Sequence, residues 1–133
     1  MKALKARITK ALPHGALIET CDNSGAKLIK LISIKGAKTV KGRMPSAGVG
    51  DLIFASVIKG TQEMRKQVVP AIIVRQKKEY RRLDGTRIKF EDNAAVVLKD
   101  EKGNPKGTIF KGPIAKEAAD RWPPIAKVAK IIV

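Results

Sequence analysis

Short apolar runs broken by Gly, Pro, Asn or Asp set the rhythm of this chain, and that spacing predicts strands rather than long helices. The first is Ala16 to Thr20, closed by the turn Asp22-Asn23-Ser24-Gly25. There Asp and Asn side chains can cap their own backbone, and Gly25 can take positive φ. Lys27 to Ile34, KLIKLISI, fits helix or strand by period alone. Its short length, isoleucines and flanking glycines favour a strand. Leu52 to Ile58, Val68 to Val74 and Ala94 to Leu98 are the next strands. Pro70 removes one ladder donor, which predicts an edge position or a bulge. Between the last two runs lies an Asp84-Gly85 turn, after which Arg87 and Lys89 alternate with Ile88 and Phe90. One face of that hairpin can bury apolar groups while the other offers cations.

The last third changes character. Gly112-Pro113 precedes the alanine-rich IAKEAADRW, which predicts a short helix with Pro in its first turn. Pro123 and Pro124 stop it, and IAKVAK can form one further turn. Ile114, Ala118 and Trp122 recur at spacings of four, and core packing is the expected role of that stripe. The fold class expected is all-β, a barrel with a basic hairpin or loop and a short C-terminal helical region. A single domain over 1–133 is expected, with the barrel core at about 13–110 and the helical appendage at about 111–133.

Charge then narrows the function. Lys and Arg number 28 against 12 Asp and Glu, a formal +16 on 133 residues. That balance belongs to proteins that bind nucleic acid. Membrane-surface proteins usually gather basic residues on one amphipathic helix, whereas here they are spread over loops. No uncharged run is long enough to span a bilayer. The opening MKALKARITK is too charged for a signal-peptide core, so an intracellular protein is expected. Cys21 is the one cysteine, which excludes an intramolecular disulfide and predicts a buried, inert thiol. One Trp, one Tyr and three Phe cannot supply the stacking platforms of single-strand RNA modules. Phosphate contact and shape readout remain.

Two segments concentrate the positive charge. Arg75, Lys77, Lys78, Arg81, Arg82, Arg87 and Lys89 fall within one stretch opposed only by Glu79 and Asp84. Gly36 to Gly50 forms a second basic arm, with Lys38, Lys41 and Arg43 and no acid before Asp51. A lone charge run is more often a solvated face, but the net charge of the whole chain favours a polyanion. These ten side chains are the candidate RNA-binding residues. The arginines rank first, since a planar fork suits phosphate better than a point charge.

Catalytic constellations fail individually. His14, the sole histidine, lies between Pro13 and Gly15, leaving neither a triad nor a multi-histidine metal site to build around it. GAKTVKG places Lys41 where a phosphate loop needs its second glycine, and Ile53 breaks the GxGxxG spacing begun at Gly48. Glu91-Asp92 and Asp100-Glu101 are adjacent pairs that a strand would point to opposite faces. Neither a cofactor nor a metal is expected.

Taken together, these motifs resemble the family of the universal large-subunit ribosomal protein numbered fourteen, from about residue 13 to the C-terminus. The pattern runs from Ala71-Ile72-Ile73-Val74 through Asp84-Gly85, Phe90 and Asn93 to Val96-Val97. DNSGAK at 22–27, AGVGD at 47–51, RRLDGTRIKF at 81–90, Gly107-Thr108 and Gly112-Pro113 also match the family. Trp122-Pro123-Pro124-Ile125-Ala126 is similar to the C-terminal element of its archaeal and eukaryotic branch. The resemblance implies a small closed five-stranded barrel on large-subunit rRNA, without catalytic activity, in the cytoplasm. It further implies contact with small-subunit rRNA at an intersubunit bridge, ribosomal protein three and other large-subunit proteins as neighbours, and docking of translation initiation factor six at the C-terminal region. Two other classes compete: a free-standing barrel binding nucleic acid transiently, and a small nuclease, which would need a carboxylate cluster absent from these strands.

Overall fold

The computed structural model describes residues 7–37 and 39–133. Lys38 and the first six residues of the MKALKAR stretch lie outside the described residues. In chain order the elements are β1 (Leu12–Pro13), β2 (Leu17–Thr20), β3 (Ala26–Ile34), β4 (Ser46–Ala47), β5 (Leu52–Gly60), β6 (Val68–Arg75) and β7 (Tyr80–Arg81). They continue with β8 (Arg87–Ile88), β9 (Ala94–Val97), β10 (Pro113–Ile114), α1 (Lys116–Arg121), α2 (Pro123–Val128) and β11 (Ile131–Ile132).

Strands β2, β3, β5, β6 and β9 form a closed barrel in that order. Four seams are antiparallel, and the fifth, β2 with β9, is parallel, pairing Glu19 with Ala94 and Thr20 with Ala95. Closure leaves no long barrel edge for another chain to extend. The short parallel seam is reinforced by Cys21 N–H donating to Ala95 O at 3.1 Å. Beyond it, Val97 N–H donates to the Asp22 carboxylate at 2.9 Å.

Burial explains why some runs alternate and others do not. β3 sets exposed Lys30 between buried Ile29 and Leu31, and exposed Ile32 and Ser33 before buried Ile34, as a wall with one wet face requires. Ala71 to Val74 and the whole of β9 are buried, and α1 and β10 pack against β6. Continuous apolar sequence therefore marks the wall covered on both faces.

Pro70 is neither on a free edge nor at a bulge. It pairs with Phe54 on one side, and on the other its carbonyl accepts from Leu98 N–H at 2.9 Å. Its missing donor falls where β9 ends, so the ladder loses nothing internal. The β6–β9 irregularity lies instead between Ile73 and Arg75.

The C-terminal segment differs in detail from the expectation of a helix with Pro113 in its first turn, stopped by Pro123 and Pro124 and followed by one further turn. Pro113 belongs to β10, which pairs in parallel with β11. Pro123 stops α1 but opens α2, since the first helical residue has no intrahelical use for an N–H. Ile114, Ala118 and Trp122 are all buried and join the same cluster as the barrel residues, in keeping with the core role expected of that stripe. The Trp122 indole N–H donates to Gly50 O at 2.8 Å. Its ring lies so close to Gly103 that a Cβ there would sit 2.6 Å from a ring carbon.

Candidate nucleic-acid interface

The seven candidate cations of the 75–89 stretch either project into solvent or are drawn inward, and local hydrogen bonding decides which. Asp84 accepts from Thr86 N–H at 2.9 Å, while Gly85, at φ 91°, takes the left-handed conformation that tightens the turn. The turn sets β7 against β8 with Tyr80 opposite Ile88 and Arg81 opposite Arg87. Tyr80 is fully buried and Ile88 packs on the core, so the hairpin is anchored by one face. The other face sets two arginines directly across from each other, where like charges repel. Arg87 has one ion pair, to Glu79 at 3.1 Å, with both partners exposed. Arg81 forms no ion pair among the described residues.

Arg82 and Arg75 are used internally. Arg82 donates to Glu117 Oε1 at 2.8 Å and to Val133 O at 2.5 Å. Tyr80 donates its hydroxyl to the other Glu117 oxygen at 2.9 Å. Burial, then the neighbouring Glu117 carboxylate, pushes the Tyr80 phenol far up, so it remains a donor. Arg75 grips Asp92 with Nε at 3.0 Å and Nη2 at 3.3 Å. Its Nη1 donates to the carbonyls of Lys111 at 2.9 Å and Pro113 at 3.1 Å. Gly112, at φ 75°, leaves room for that guanidinium, because a Cβ would sit 2.5 Å from Nη1. Both arginines thus tie the basic hairpin region to the C-terminal segment.

Lys77, Lys78 and Lys89 are exposed. Lys89 shares a groove of about 680 Å³ with Arg75, Phe90, Glu91, Asp92 and Pro113. Lys41 and Arg43 are exposed on the separate arm. Positive φ at Lys41 (57°) and Gly42 (71°), with Arg43 N–H reaching Val40 O at 3.4 Å, makes the tight reversal at the arm's tip. Arm and hairpin share a root in Gln76, which is fully buried. Its side chain accepts from Val49 N–H at 3.3 Å and donates to Lys78 O at 2.9 Å.

Several residues that position this surface escape a sequence reading. Asp22 and Asn23 do more than cap their own turn. Asp22 braces the barrel seam, and Asn23 Oδ1 accepts from Thr108 N–H at 2.8 Å and Ile109 N–H at 3.3 Å. Glu117 and Gln76 carry no motif, and only their partners distant in sequence reveal them. Asp51 is likewise buried between Lys10 at 2.5 Å and Arg121 at 3.1 Å. Among the described residues, no group of three or more His, Cys, Asp or Glu is arranged to hold a metal. No described helix is long and apolar enough to cross a membrane.

The family model for ribosomal protein L14p/L23e matches residues 11–133. This chain belongs to that family. Among its relatives, the large ribosomal subunit protein uL14 of Methanococcus vannielii is 58% identical over 132 residues, covering 99% of each chain. That of Nanoarchaeum equitans is 57% identical over 133 residues and 100% of each. Family membership makes the chain a structural protein of the large ribosomal subunit, serving translation in the cytoplasm and not an enzyme. The barrel and the two short C-terminal helices agree with the architecture the resemblance implied.

Proposed function

We propose that the chain binds large-subunit rRNA through Arg81, Arg87, Lys77, Lys78 and Lys89 of the hairpin and Lys41 and Arg43 of the arm. The observation carrying this reading is Arg81 set directly opposite Arg87, with one exposed glutamate, Glu79, paired to Arg87 and none to Arg81. A rigid hairpin that holds two guanidinium groups together gains stability when phosphates neutralise them. Arg75 and Arg82 act as struts that fix the hairpin region, so their part in RNA binding is indirect.

What is left exposed supports a finer reading of the assembly. In β11, Ile131 and Ile132 are exposed, as is Val133 beyond it, which suits docking of a partner such as translation initiation factor six. Contact with small-subunit rRNA at an intersubunit bridge, and with ribosomal protein three and other large-subunit proteins, belongs to the same reading. One contiguous apolar cluster from Ile8 to Ile125 supports a single domain.

The test is a salt titration of the purified chain on large-subunit rRNA. With about six phosphates neutralised, log affinity should fall against log salt with a slope of roughly −4 to −5. Arg81→Gln with Arg87→Gln should flatten the slope by about 1 to 2 and leave the melting temperature nearly unchanged. An unaltered slope removes the hairpin from the interface.

A further inference from the structure

We infer that a groove beside the barrel seam, apart from the hairpin and the arm, is a second seat for RNA backbone, gripped by Lys27, Lys59 and Lys111. The inference rests on the RNA-binding reading above and adds a site that the clustering of charge along the sequence does not reveal.

The groove encloses about 560 Å³ and is lined by these three lysines together with Glu19, Asn23 and Thr61. Its cations come from three separate segments: Lys27 from β3, Lys59 from β5 and Lys111 from the chain just before β10. All three are exposed, and none forms an ion pair among the described residues. Two carboxylates are nearby. Asp22 is buried, accepting from Val97 N–H at 2.9 Å and the Ser24 hydroxyl at 2.8 Å. Glu19 alone faces solvent, so the groove presents three cations against one exposed acid.

The backbone beneath these lysines is held on several sides. Thr61 N–H donates to Gly25 O at 2.9 Å and Lys111 N–H to Cys21 O at 2.6 Å. At Gly60 a Cβ would fall 2.5 Å from the Gly25 carbonyl oxygen, so the strands bearing Lys27 and Lys59 touch through their backbones at the groove floor. Asn23 then pins residues 108 and 109 to the adjoining turn. Three ammonium groups are thus brought around one concavity without a matching set of internal counterions. That arrangement is self-repelling unless an anion occupies it. No aromatic side chain lines the groove, which leaves no platform for base stacking. Lysines act as point charges tolerant of phosphate orientation, so the ligand is the sugar–phosphate backbone, held without regard to base sequence.

The experiment is the salt titration of the full chain on large-subunit rRNA with three variants. Lys27→Gln/Lys59→Gln/Lys111→Gln should flatten the log–log slope by roughly 2, at about 0.7 to 0.9 per phosphate released. The charge-matched control Lys99→Gln/Lys102→Gln/Lys127→Gln should change it by less than half as much. Arg81→Gln/Arg87→Gln reports on the hairpin separately. If the groove variant matches the control while the hairpin variant flattens the slope, the groove inference is overturned and the RNA-binding reading stands. If the unsubstituted chain shows no salt-dependent binding, both fall. Should the triple variant not fold, Lys59→Gln alone replaces it, with an expected loss of about 0.7; no loss then overturns the inference.

Discussion

Arg82 and Glu117, 35 positions apart, meet at 2.8 Å with both side chains largely sheltered from water. This pair joins the basic hairpin to α1, and Arg82 extends it to the last residue through Val133 O at 2.5 Å. Adjacent arginines therefore have opposite fates: Arg81 faces solvent while Arg82 fastens the C-terminal segment.

Arg82→Ala should destabilise the chain by roughly 2 to 4 kcal/mol, because Glu117 is left charged, buried and short of a partner. Arg81→Ala, at an exposed position, should stay within about 0.5 kcal/mol. Urea denaturation of both variants checks the contrast. A double-mutant cycle with Glu117→Gln should return a coupling of about 1 kcal/mol or more, and independence would show the bond to be unimportant for stability.

Gly103 and Gly36 separate steric closeness from backbone strain. Both have positive φ, 100° and 81°, but a Cβ at Gly103 would meet Trp122 at 2.6 Å whereas Gly36 has nothing within 4 Å. Gly36→Ala should cost about 1 to 2 kcal/mol from the backbone alone. Gly103→Ala should cost about 1 to 3 kcal/mol more, because the indole must shift within a packed core. Melting curves, read with Trp122 fluorescence, measure both.

Cys21 should resist alkylation until the barrel opens. Burial pushes its thiol up to about 11 from 9.0, and the nucleophile is the thiolate. At pH 8, iodoacetamide labelling should be slow in the folded chain and fast in denaturant. The unfolded state ionises first as pH rises, so this thiol contributes a loss of stability beginning near pH 9 and complete above about 11. Cys21→Ala should reduce the fall in stability across that window.

Asp84 gives the opposite dependence. The Thr86 N–H holds its carboxyl below the usual 3.8, so the ionised form is favoured in the folded turn. Its contribution is complete above the unfolded value and is lost as pH falls through the lower folded one. An NMR titration should show the Thr86 amide signal moving with a midpoint below the usual 3.8, and a midpoint at or above that value would contradict the turn geometry.

How much of this was legible in advance depends on the range of each interaction. The five barrel strands follow from short apolar runs, alternating or continuous, and from turn residues such as Asp22, Gly25, Asp84 and Gly85, whose conformational demands are met within a few neighbours. The ribosomal family follows from motif spacing, and the net charge points to a polyanion whatever the fold. Pro70, by contrast, gave a misleading cue, because where β9 stops pairing is a property of two strands.

The sequence by itself thus determined the strand-rich architecture, the family and the electrostatic class, since each depends on composition or on neighbours along the chain. Tertiary structure alone decided which cations remain available. Arg75 and Arg82 have the same chemistry as Arg81 and Arg87, yet Asp92, Glu117 and the C-terminal carbonyls draw the first two inward. The same folding gathers Lys27, Lys59 and Lys111 from distant segments around one groove. A guanidinium or ammonium group is directed by whichever acceptors the fold brings within a few ångströms, and that proximity is not written in the spacing of the residues.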